Sequence, residues 1–170
     1  MDSVKGNIRI RKETDMQHTQ LSRRSAGVKL SDIDWEKQYL TFIPVKDAVF
    51  SWEQRATSGH LEYSINGGQT WRTFTYNNHT PTIKAGSKVI WRGDLIPSTK
   101  TTGGIGTFSA NANYNAYGNI MSLLFYDNYY GSQLNADNYE NVFLNLFVND
   151  THIITAPELP ATTLAPYCYV

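Results

Sequence analysis

With a single cysteine, Cys168, the chain cannot close an intrachain disulfide, so its fold must be held by its core alone. That suits synthesis in a reducing compartment. No run approaches the roughly 18 apolar residues of a membrane helix, and no membrane insertion is expected. Neither charge is in surplus: 15 Lys and Arg stand against 15 Asp and Glu, a formal net charge of zero. This argues against nucleic acid as a partner, because neutralising phosphates through overall basicity needs a clustered positive excess. The opening MDSVKGNIRIRKETDMQ lacks the apolar stretch that a signal peptide places before its cleavage site, and ordinary export is not expected of a chain that starts so. Leu and Ala do not dominate, which takes weight from a helical reading.

What is present points to strands. Aromatic residues make up 13% of the 170 residues, and Gly, Asn, Ser and Thr fill the spaces between apolar runs. The length suits one domain with a sizeable core and a small appended element. The zero net charge conceals an asymmetry. Residues 1–30 carry Lys5, Arg9, Arg11, Lys12, Arg23, Arg24 and Lys29 against only Asp2, Glu13 and Asp15, so the remainder is acidic by the same margin. In residues 1–34 the obvious apolar anchors are Ile8, Ile10, Val28, Leu30 and Ile33; this stretch reads as an extended, partner-ordered arm or a disordered leader.

From Trp35 onward the texture changes to short runs: YLTFIPV (39–45), AVFSW (48–52), LEYSI (61–65), WRTFTY (71–76), KVIWRG (88–93), GTFSA (106–110) and NIMSLLF (119–125). Turn formers separate them, and alternation in 61–65 and 71–76 has period two. Short strands at this spacing predict a mostly β chain, an antiparallel, immunoglobulin-like β-sandwich over 35–126. ENVFLNLFV (140–148) suits a short helix or a buried strand equally. Pro157, Pro160 and Pro166 then exclude a continuous helix and favour irregular turns.

Several motifs invite chemistry. SINGGQTW (64–71) resembles the Asp-box of sialidase-type propellers, but it occurs once, and a propeller needs far more chain. It reads as a hairpin turn in which Asn66 and Gly67 supply positive φ and Trp71 packs across the strand pair. Arg92-Gly93-Asp94 spells an adhesion tripeptide, yet it follows a strand, where Gly93 and Asp94 make an exit turn. GGIG (103–106) precedes a strand rather than the helix that a phosphate cradle requires. His18, His60, His79 and His152 are scattered, with no metal-site spacing. Glu53 and Glu62, on successive strands, are the one carboxylate pair worth weighing for glycoside hydrolysis. Cys168, beside aromatics and far from any base, reads as a buried structural thiol. Tyr114, Tyr117, Tyr126, Tyr129 and Tyr130 crowd a Gly- and Asn-rich region, a composition used both for packing and for sugar stacking. No catalytic residue, metal site or cofactor is expected.

The segment APELPATTLAPYCYV (156–170) is similar to the repeat unit of BspA-like leucine-rich-repeat proteins of gut anaerobes, where such a phrase recurs about every two dozen residues. EYSINGGQTW, WRGDLIP, GIGTF and GNIMSLLF look like the β-sandwich preceding those repeats, so the resemblance spans roughly residues 39 to 170. It implies a short, irregular leucine-rich-repeat-like element over 127–170 and a binding rather than an enzymatic role, since the relatives are mostly exported adhesins or fibre-like proteins. This chain departs from them in its basic arm and its lack of an export signal, both of which suit assembly onto a larger particle. Phages of gut anaerobes, the crAss-like group included, carry such modules on head and tail fibres. The expectation is therefore a non-enzymatic virion protein docking through Arg9, Arg11, Lys12, Arg23 and Arg24 onto other virion proteins, forming a homo-oligomer, and facing a host-surface glycan or protein. The alternative is a bacterial cell-surface adhesin or glycan-binding module.

Overall fold

In the computed structural model, which describes residues 29–76, 78–97, 104–134 and 139–169, the apolar runs become strands that share an aromatic core. They are β1 (Leu40–Pro44), β2 (Phe50–Gln54), β3 (Leu61–Ser64), β4 (Arg72–Phe74), β5 (Val89–Gly93), β6 (Gly106–Ala110) and β7 (Tyr114–Tyr117). Five form an antiparallel sheet in the order β4-β3-β5-β1-β7, and β2 pairs with β6 in a second antiparallel sheet. Strand alternation aims Phe42 and Trp91 of the larger sheet at Phe50 and Phe108 of the smaller one. Ring centroids lie 5.3 Å apart for Phe42–Phe50, 5.0 Å for Phe42–Phe108 and 4.9 Å for Trp91–Phe108. The result is a sandwich-like pair of sheets closed by rings. Trp52, Phe74 and Tyr114 are fully buried with them, and at about 1.5–3 kcal/mol for each large apolar side chain this core dominates stability. The indole N–H groups of Trp52 and Trp91 are buried without a hydrogen-bond partner; the ring area they bring outweighs a cost of about 1–3 kcal/mol each.

The chain divides into two units between Ile33 and Asp34. Of the first, the described residues hold one 3-10 turn, Leu30–Asp32. The proposed docking residues Arg9, Arg11, Lys12, Arg23 and Arg24 lie outside the described residues, as does His18. The second unit contains the seven strands found among the described residues.

Two runs depart from the elements predicted for them. NIMSLLF contains a one-turn helix, α1 (Ser122–Phe125), in place of a strand. The cause is Ser122, whose buried hydroxyl donates to the Trp91 carbonyl at 2.9 Å and accepts the Leu40 N–H at 3.0 Å, docking the helix across β5 and β1. Asn119 holds the entry: its side chain accepts the Met121 N–H at 2.9 Å and donates to the Glu36 carbonyl at 2.9 Å. Gly118 is needed beside it, since a Cβ there would lie 2.0 Å from the Tyr39 carbonyl oxygen and φ is +84°.

ENVFLNLFV is neither helix nor strand but a train of tight turns. Asn141, Asn145 and Asn149 sit at φ of 55°, 62° and 61°, so every fourth residue reverses the local handedness and breaks both periodicities. The train is held sideways. Val142 and Leu146 accept backbone hydrogen bonds from Ile105 and Phe108 at 2.9 and 2.8 Å, and His152 accepts from Tyr114 at 3.0 Å. Parallel bridges join Tyr114 to Ile153 and Asn119 to Glu158. A further layer follows, with Asn141 donating to the Pro166 carbonyl at 3.0 Å and Phe143 to that of Cys168 at 3.1 Å.

Candidate functional site

Residues of the second unit with chemical potential fall into a closed web and an open groove. The web centres on Arg92, which lies within β5 rather than on an exit loop, its side chain only 19% exposed. The guanidinium donates to Glu62 at 2.8 Å and to Asp127 at 2.8 Å, and its carbon stands 4.0 Å from the Trp71 ring centroid. Tyr39 donates to the same Asp127 oxygen at 2.7 Å. That hydrogen bond, aided by Arg92, holds the Asp127 carboxyl below its usual range, while burial and the Asp127 partnership push the Tyr39 phenol up. Arg92 is thus committed to internal partners. Gly93 ends the strand for packing reasons: a Cβ would meet the His60 carbonyl oxygen at 2.4 Å. Asp94 caps the chain by accepting the His60 N–H.

SINGGQTW forms the turn between β3 and β4. Positive φ falls on Gly67 and Gly68, not on Asn66. Asn66 works through its side chain, accepting from the Ser64 hydroxyl at 2.8 Å and the Thr70 N–H at 3.0 Å, and donating to the Thr70 hydroxyl at 2.9 Å. All of these bonds are internal to the turn. Trp71, beyond it, packs edge-on against Tyr39 at 5.3 Å.

Glu53 and Glu62 belong to different sheets, and Glu62 is committed to Arg92. The tyrosine group also divides. Tyr114 is core, its hydroxyl 2.9 Å from Asp150, and burial with that carboxylate pushes its pKa far up. Tyr117 stacks on Trp35 at 4.6 Å; Tyr129 is buried, donating to the Lys37 carbonyl at 2.8 Å; Tyr126 faces Arg92 at 5.3 Å; Tyr130 is exposed. Cys168 is free and buried, and burial raises its thiol pKa. Among the described residues no cluster of three or more His, Cys, Asp or Glu is placed to hold a metal ion, and no helix is long and apolar enough to cross a membrane.

The groove was not foreseen. It covers the outer face of the β2–β6 pair, where alternation turns Ser51 and Glu53 outward opposite Ser109 and Thr107. Its walls are Tyr76 and His79 on one side and Val148 and Asn149 on the other, with a volume of about 570 Å3. His79 Nδ1 lies 2.8 Å from the Ser51 hydroxyl, and Thr107 donates to the Asn145 carbonyl at 3.0 Å. Glu53 and Arg55 meet loosely at 3.4 Å with both side chains well exposed. The outward positions of Ser51 and Glu53 were readable from alternation; the register that brings Tyr76, His79, Val148 and Asn149 beside them was not.

Comparison of the chain with protein-family models, with curated proteins and with solved structures gives no match.

Proposed function

We propose that the chain is a non-enzymatic attachment protein of a phage virion, held on the particle by its basic N-terminal segment and displaying the β-rich body outward. The observation that carries this reading is the division of charge along the chain. The basic surplus of residues 1–30 falls within the unit that ends at Ile33, whereas the charged groups of the Arg92 web in the second unit are committed to one another. Such a body needs an anchor and offers a surface, and Arg9, Arg11, Lys12, Arg23 and Arg24 are the anchor's contacts with other virion proteins. Assembly with further copies of the chain belongs to the same proposal.

Seven antiparallel strands in two facing sheets support an immunoglobulin-like sandwich, although the five-and-two partition differs from the usual four and three. The parallel layering of 105–120, 139–158 and 166–168 supports a leucine-rich-repeat-like reading of the terminal element. That element also favours the second reading, a bacterial cell-surface adhesin, because its wording is that of surface proteins. Immunogold labelling separates the two. Label on purified particles is expected, and label on intact uninfected cells with none on particles would replace the virion reading with the adhesin.

A further inference from the structure

The groove over β2 and β6 has the chemistry of a recognition site whose groups are still available. Tyr76 is 59% exposed, and among the described residues its ring has no aromatic neighbour and its hydroxyl no partner. The Ser109 hydroxyl and the Asn149 side chain likewise form no hydrogen bond among the described residues. Glu53 and Arg55 together add no net charge, which disfavours phosphate-rich or polyanionic ligands. A peptide adding a strand would need a free backbone edge. Both edges are taken: the Thr80 N–H donates to the Phe50 carbonyl at 3.0 Å beside β2, and Phe108 of β6 donates to Leu146 at 2.8 Å. What remains is an aromatic face beside a mixed set of donors and acceptors, in a cleft of about 570 Å3, within the size range of small-ligand sites.

We propose that this groove binds a neutral saccharide, with Tyr76 as the stacking platform and Glu53, Arg55, Ser109 and Asn149 meeting its hydroxyls. Aromatic rings pack on the apolar C–H face of a sugar, while fixed polar groups select its hydroxyl pattern. Among the described residues that line the groove Glu53 is the sole carboxylate, whereas glycoside hydrolysis ordinarily needs two; the proposed site is one that holds a sugar. The inference rests on the reading of the chain as an attachment module and names what the displayed surface grips.

Affinity electrophoresis of the full chain at pH 8.8, in gels containing mannan, xylan, galactan, β-glucan or starch, tests it. At least one polymer is expected to retard the chain. Tyr76→Ala should weaken that retardation by about tenfold, Tyr76→Phe should retain most of it, and Glu53→Gln should weaken it several-fold. Thermal unfolding of each variant should match the parent, because these side chains are exposed. Retardation by none of the five polymers, retardation only by a sulfated polysaccharide, binding only to a panel of unmodified peptides, or insensitivity to Tyr76→Ala would each overturn the inference. Release of reducing sugar from a retarding polymer would instead overturn the non-enzymatic reading, so the two failures are distinguishable.

Discussion

Arg92 shows how a single residue can carry an apparent motif and yet be spent on the fold. Its guanidinium joins two carboxylates and lies over an indole. Arg92→Met should lower stability by about 1–3 kcal/mol in urea denaturation, because Glu62 and Asp127 then lose their shared cation. Arg92→Lys should recover less than half, since an ammonium cannot serve two carboxylates and stack at once. An unchanged midpoint in Arg92→Met would show that the web is ornamental. The pH dependence follows from Asp127. Its folded carboxyl titrates below the ordinary 3.8, so its contribution is complete above that value and is lost as pH falls through the depressed one. Unfolding midpoints measured from pH 7 to pH 2 should therefore fall more steeply below about pH 4 in the native chain than in Asp127→Asn. Parallel curves would contradict the assignment.

At the scale of elements, the strands were legible wherever alternating aromatics met turn formers. LEYSI, KVIWRG and GTFSA became β3, β5 and β6 within a residue, and AVFSW shifted by two to become β2. Tyr114–Tyr117 was not read as a strand because its Asn and Gly neighbours resemble a loop; pairing with β1, from Thr41↔Tyr117 to Pro44↔Tyr114, makes it one. NIMSLLF has strand-like composition, and only tertiary hydrogen bonds through Ser122 reveal its helical turn. ENVFLNLFV offered two periodicities and obeys neither, because backbone handedness at Asn141 and Asn145, and at Asn149 just after the run, is not encoded in hydrophobicity. That account predicts that Asn145→Gly is nearly neutral and Asn145→Val costs about 1–2 kcal/mol, read as urea midpoints. Equal effects would mean that φ at this position is not the constraint. The tie between β7 and the turn train is Tyr114, whose hydroxyl meets a buried Asp150 side chain. Tyr114→Phe keeps the core ring but removes that donor, and should cost about 1–3 kcal/mol in the same assay. A neutral outcome would show that Asp150 is satisfied without it.

Across the whole molecule, composition was a better guide to the body than to its task. Mostly β, antiparallel and held by rings without a disulfide was readable from 13% aromatics and one cysteine. The groove was not, because its walls come from residues about 70 positions apart, Tyr76 and His79 against Val148 and Asn149, joined only by folding. The central claim is that the basic segment grips a particle while the body displays a surface. Its most direct test is incorporation of the full-length chain bearing Arg9→Ala, Arg11→Ala, Lys12→Ala, Arg23→Ala and Arg24→Ala, quantified by mass spectrometry of purified particles. The account predicts a chain with the parental unfolding midpoint that is missing from the particles; incorporation at the parental level would contradict it.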